Sequence, residues 1–154
     1  MGKGTGTDEF WMERALELAR SAGEAGEVPV GAVLVCGGEE IACAENERER
    51  SGDPTAHAEM LALRRGAERK GNRNLSDCTL YVTLEPCPMC AGAVLAARPD
   101  RVVFAAFHRE GGACGSRVDL TPLAPGIRFE GGLLHEESAR LLRSFFRDMR
   151  ETFY

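Results

Sequence analysis

No stretch of this 154-residue chain approaches the roughly 20 consecutive apolar residues of a membrane-spanning helix, which excludes membrane insertion. The first residues carry no basic segment followed by an apolar run and a small-residue cleavage site, and so point away from secretion and toward the cytoplasm. Positive charge is not in excess either. With 19 Lys and Arg against 24 Asp and Glu, the net charge is −5, which excludes a wholly basic nucleic-acid-binding surface but leaves room for a local basic patch. Internal repeats and low-complexity segments are absent. The length suits one domain, expected over residues 8–154 behind a loose leader at 1–7, with too little chain for a second core. Six cysteines could pair in fifteen ways in an oxidised scaffold, but several lie inside apolar runs, so reduced thiols are expected.

Hydrophobic spacing organises what is there. Asp8 is the expected cap of a first helix whose apolar stripe runs through Trp11, Ala15, Leu18 and Ala22 and stops at the glycines of 23–26. Residues 28–36 are rich in β-branched side chains and precede Gly37-Gly38, so with 40–46 they predict a hairpin. A loop is expected over 47–55 and a helix over 56–70. Beyond these come a strand at 78–84, a short apolar helix at 87–97 and a strand at 101–107. Residues 108–126 are rich in Gly and Pro and predict a loop, 127–134 a weak last strand, and 136–153 a terminal helix carrying Leu142, Phe145, Phe146, Met149 and Phe153 at helical spacing. Strands with little polar alternation imply a sheet covered on both faces, the pattern of an α/β sandwich.

The chemistry concentrates in His57-Ala58-Glu59 and Pro86-Cys87-Pro88-Met89-Cys90. One imidazole and two thiolates form a donor set suited to zinc, and three protein ligands leave a fourth tetrahedral position open for water, as catalytic rather than structural sites do. Both segments open helices, where the positive helix end favours thiolate. Glu59 is close enough in sequence to share the cavity without binding metal. It can take a proton from zinc-bound water, leaving hydroxide to attack an amidine-like carbon, and then hand protons to the ring nitrogen and departing amine. A Cys-x-x-Cys alone could be a redox pair or half of a structural zinc site; the added His-x-Glu, the preceding Pro and the lack of a second Cys-x-x-Cys weigh against both.

The pattern His-x-Glu followed by Pro-Cys-x-x-Cys resembles the signature of the zinc-dependent nucleobase and nucleoside deaminases. The stretches at 27–33, 53–59 and 81–93, with Asn46, Gly115-Ser116, Gly131-Gly132 and Phe145-Phe146, look most like the bacterial tRNA adenosine deaminases, and the likeness runs over about residues 8–150. The resemblance implies a three-layer α/β/α fold of the cytidine-deaminase type, with a central mixed sheet of about five strands. It further implies one Zn2+ held by His57, Cys87 and Cys90, Glu59 as proton shuttle, and conversion of adenosine to inosine at wobble position 34. A homodimer acting on a tRNA anticodon stem-loop follows from the same likeness. Asn46, Val28, Pro29 and Leu84 would contact the flipped nucleoside, with Ala58 orienting it through its backbone; for Val28, Pro29 and Leu84 the plain alternative is membership of the core. Phe107, His108 and Phe146 complete the expected substrate-contacting set. Phe107 and His108 depart from the family's usual residues, and the family's Asn-His pair before the last strand is replaced by the sequence from Leu123 to Arg128.

Charge pulls in two directions. Residues 39–53 carry a local charge of −4 beside Asn46, which opposes a phosphate backbone, whereas residues 64–73 carry +4 and could meet RNA or simply form a solvated helix face. Two further readings therefore stand beside the tRNA enzyme. One is a deaminase of a free base or nucleoside such as guanine, cytosine or adenosine, favoured by a closed pocket rimmed by Glu47, Glu49 and Asp53; the other is a non-enzymatic zinc-stabilised scaffold. Basic residues around the mouth would favour RNA.

Overall fold

The computed structural model describes residues 6–153, and residues 1–5 of the expected leader, the side chains of residues 151–153 and Tyr154 lie outside that description. Its elements run α1 (Asp8–Glu24), β1 (Gly31–Cys36), β2 (Glu39–Glu45), α2 (Arg48–Ser51), α3 (Ala58–Lys70), β3 (Cys78–Leu84), α4 (Pro88–Ala97), β4 (Arg101–Ala106), a 3-10 turn (Thr121–Leu123), β5 (Arg128–Gly131) and α5 (His135–Phe153). The sheet has the order β2-β1-β3-β4-β5. β1 pairs antiparallel with both β2 and β3, while β3, β4 and β5 are parallel, which gives the expected mixed five-stranded sheet.

Alternation along the strands divides the core into two layers. Val33, Val35, Tyr81, Val103 and Ala105 face Met12 and Ala15 of α1. Leu34, Leu80, Val82, Val102 and Phe104 face Ala58, Ala62 and Leu63 of α3 and Val94 of α4. Covering both faces explains why the strands read as nearly continuous apolar runs. α1 approaches β1 closely at Gly31, where a Cβ would come within 2.7 Å of the Leu18 Cβ and 2.8 Å of the Ala19 nitrogen.

Several local expectations change. Thr7, not Asp8, caps α1, its hydroxyl accepting the Phe10 N–H at 3.0 Å. Asp8 is drawn off by Arg101 at 2.8 Å and by the Tyr81 hydroxyl, which donates to it at 2.6 Å. The segment read as loop over 47–55 contains the short helix α2. The last strand is confined to Arg128–Gly131. The expected set of six reduced thiols is also corrected: Cys36 and Cys78 face each other across β1 and β3, 4.2 Å apart at Cα, and are joined in a disulfide. Their opposition is a consequence of register, which spacing along the chain does not reveal. Cys43, Cys87, Cys90 and Cys114 are free. Along α5, Ser138 is fully buried and donates to the Thr83 carbonyl at 2.5 Å, but Phe146 and Met149 remain about two-fifths exposed.

Candidate metal centre and active-site cavity

Two helix N-termini meet beneath a single cavity. His57 is the N-cap of α3, presented in extended backbone after a turn in which the Asp53 carboxylate accepts the Thr55 N–H at 2.8 Å and the Thr55 hydroxyl at 2.7 Å. Cys87 is the N-cap of α4, with Pro88 at the first helical position, where a missing N–H costs nothing, and Cys90 buried in the first turn. His57 Nδ1 lies 3.7 Å from Cys87 Sγ and 3.5 Å from Cys90 Sγ, and the three donor atoms fall within 4.8 Å of one another. Tetrahedral zinc with ordinary Zn–S and Zn–N bonds separates such donors by about 3.6 Å, so the residues present fit the metal in both type and spacing.

The donor groups perturb one another. A hydrogen bond from the Cys90 thiol, helped by His57, pulls the Cys87 thiol down to about 3 despite burial. The same bond, together with burial, pushes Cys90 up, and the bond to Cys87 raises His57. Glu59, in the first turn of α3, is only 4% exposed; burial pushes its carboxyl up to about 7, the range in which a proton shuttle both accepts and donates.

The cavity above the centre has a volume of about 900 Å³. His57, Glu59 and Cys87 lie on its inner wall with Asn46, Val28 and Leu84, as anticipated, and Val30 joins them. Phe107, His108 and Phe146 also line it. Pro29 does not: it is buried, and its ring packs at 3.4 Å from where a Gly23 Cβ would stand. Ala58 is fully buried in the core, and its N–H is already donated to Asn46 Oδ1 at 2.8 Å, so the expected role in orienting substrate falls to other groups. Asn46 also donates through Nδ2 to the Val28 carbonyl at 3.1 Å, tying the end of β2 to the segment before β1 and to the start of α3.

Residues 5–106 match the cytidine and deoxycytidylate deaminase zinc-binding region. The chain belongs to that deaminase family. Among its relatives, the tRNA-specific adenosine deaminase of Bacillus subtilis (strain 168) is 46% identical over 147 residues, 94% of this chain and 91% of that one. A solved structure from studies of A-to-I editing by tRNA:A34 deaminases at the wobble position superposes with a TM-score of 0.82 at 44% identity, covering 86% of this chain and 98% of its own. The guanine deaminase of Nitrosomonas europaea superposes with a TM-score of 0.81 at 29% identity, covering 91% of this chain and 85% of its own.

The mouth of this deaminase holds what residue-type reasoning missed. Arg48 of α2, Arg109 of the loop after β4 and Arg143 of α5 line it, with His135. They come from three separate segments, and no local pattern links them. Buried Glu27 holds α2, accepting the Glu49 N–H at 3.1 Å, the Arg50 N–H at 2.8 Å and the Arg50 Nε–H at 3.3 Å. Its one sequence signal is a carboxylate standing directly before an apolar run. Half of the acids of residues 39–53 are paired: Glu40 with Arg14, Glu45 with Arg50 and Glu47 with Arg65. Residues 64–73, the other basic candidate, contribute nothing to the cavity lining, and Arg65 is spent on Glu47 and the Cys43 carbonyl.

Proposed function

We propose that this deaminase converts adenosine to inosine at the wobble position, position 34, of tRNA. The observation that carries the reading is the ring of Arg48, Arg109 and Arg143 around a cavity whose inner wall holds His57, Cys87 and Glu59. Three arginines suit the phosphates on either side of a nucleotide turned out of an RNA loop. Glu47, Glu49 and Asp53, the acids expected to rim a pocket for a small neutral ligand, are not among the lining residues. The likeness to the tRNA-specific adenosine deaminase of Bacillus subtilis and to the wobble-position deaminase structure points the same way.

His57, Cys87 and Cys90 would hold zinc, and Glu59 would carry the proton. Zinc bound there supplies a water acidic enough to ionise near neutral pH. The buried Glu59 carboxyl would take the two protons of the attacking water in turn, passing one to the purine ring nitrogen as the oxygen bonds to C6 and the other to the amine as its C–N bond breaks, so that ammonia departs and a carbonyl remains. Val28, Val30 and Leu84 form an apolar wall for the base, and the Asn46 carboxamide, fixed by Ala58 and Val28, stands at its edge. Phe107 and Phe146, both partly exposed at the mouth, offer ring faces on which a flanking base can stack. A homodimer and a cytoplasmic location beside tRNA belong to the same proposal.

A second reading, deamination of free guanine, draws support from the equally good superposition of the Nitrosomonas europaea enzyme. Mass spectrometry of products from zinc-loaded protein separates the two, using an anticodon stem-loop with adenosine at the wobble position, the same loop with cytidine, and free adenine, adenosine, cytosine and guanine. Conversion of the adenosine loop alone to inosine is expected. An untouched loop with a reacting free base would overturn the tRNA reading.

A further inference from the structure

Glu85 sits between the end of β3 and Pro86, only 1% exposed; it borders the cavity, and its carboxylate is bonded into the loop after β4. Its Oε1 accepts the His108 N–H at 3.0 Å and the Ser116 hydroxyl, and its Oε2 accepts the N–H groups of Cys114 at 2.9 Å and Ser116 at 3.1 Å. A carboxylate taken out of water is tolerated when its lone pairs are filled in this way, and here a single loop fills them. Gly112 passes directly over the group: a Cβ there would lie 2.6 Å from Oε1. The Ala113 N–H closes the wrap on the Pro86 carbonyl at 2.8 Å. The loop thus folded carries His108, Arg109 and Ser116 to the cavity mouth, directly after Phe107.

We propose that Glu85 is a positioning residue that sets the mouth of the cavity, clamping residues 108–116 so that the strand flanking the reacting base is held by Phe107, His108 and Arg109. It acts through the loop, to which both of its carboxylate oxygens are bonded. The proposal rests on the reading of the cavity as an RNA site, and its test has an arm independent of that reading.

Glu85→Gln keeps the size of the side chain but turns one acceptor into a donor facing N–H groups. Hydrogen exchange of the zinc-loaded full chain is expected to quicken by about tenfold or more at His108, Cys114 and Ser116, in line with loss of a hydrogen bond to a charged group, and to stay unchanged in β3 and α3. KM for the adenosine stem-loop is expected to rise about tenfold while kcat moves by less than about threefold, the signature of lost strand binding without lost chemistry. Zinc content should equal that of the unaltered protein. Unchanged exchange in folded Glu85→Gln overturns the clamp. Faster exchange with unchanged KM, or a fall in zinc and kcat at constant KM, overturns the link to substrate. Gly112→Ala presses on the same carboxylate from the loop side and carries the test if Glu85→Gln does not fold. If the unaltered chain leaves the stem-loop intact, the tRNA reading fails while the exchange arm still decides the clamp.

Discussion

Phosphate binding by the arginine ring is measurable as a salt dependence. On single-stranded nucleic acid each neutralised phosphate contributes about −0.7 to the slope of log affinity against log salt. Arg48, Arg109 and Arg143 together give a slope of about −2, a loss of about 20-fold in affinity between about 50 and about 200 mM salt. The Glu136 carboxylate near Arg143 does not cancel its charge: the two are 3.9 Å apart and about 60% exposed, where an ion pair is worth close to nothing. Arg143→Gln should therefore reduce the slope to about −1.4 and the loss to about sevenfold over the same range. Fluorescence anisotropy of a labelled anticodon stem-loop, titrated with the Glu59→Ala protein so that the RNA stays unreacted, reads both numbers. Arg65→Gln, in a residue paired with Glu47 outside the cavity, serves as the control and should leave the slope unchanged. A slope shallower than about −1, or one that Arg143→Gln leaves untouched, refutes phosphate binding at the mouth and returns the site to small neutral substrates.

Three further outcomes are expected. Glu59→Ala should keep its zinc and its fold while deamination drops by at least about a hundredfold, checked by elemental analysis, circular dichroism and product mass spectrometry; near-normal turnover would remove Glu59 from proton transfer. Cys90→Ser should lower bound zinc below one per chain, and unchanged stoichiometry would contradict its assignment as a ligand. Glu27→Gln should cost about 2 kcal/mol in urea unfolding at neutral pH, because the carboxylate holds two N–H groups of α2 and the Arg50 guanidinium. Burial would raise the Glu27 carboxyl, but the N–H groups of Glu49 and Arg50 and the Arg50 side chain outweigh it and hold it below its usual range. The resulting stability is present above the unfolded value of about 4.3 and disappears as pH falls through the folded one, so the loss on substitution should shrink in acid.

The strands were legible where the residue pattern is local. β3 falls on the expected residues 78–84, and the apolar runs of β1 and β4 announce a sheet buried on both faces. α3 and α4 were anticipated to within two residues at each end, since an apolar stripe and a Pro near the first turn are short-range signals. What failed had a long-range cause. Asp8 has the chemistry of a cap, yet Arg101 and Tyr81, both far away in sequence, claim its carboxylate. Cys36 and Cys78 look like buried thiols until the register of β1 on β3 sets them opposite each other.

The residues of this protein by themselves determined the family and the metal chemistry, because His57, Glu59, Cys87 and Cys90 lie in two short segments whose spacing is already their geometry on a helix N-terminus. Tertiary structure alone decided which other groups gather around the cavity. Arg48, Arg109 and Arg143 belong to three distant elements, and Glu27 and Glu85 work by accepting backbone N–H groups, which carry no side-chain signature. The acids of residues 39–53 illustrate the same physics: along the chain they count as a charge of −4, but in the fold Arg14 of α1 and Arg65 of α3 pair with Glu40 and Glu47 and halve that excess, while the cavity is lined by Arg48, Arg109 and Arg143 against Glu110.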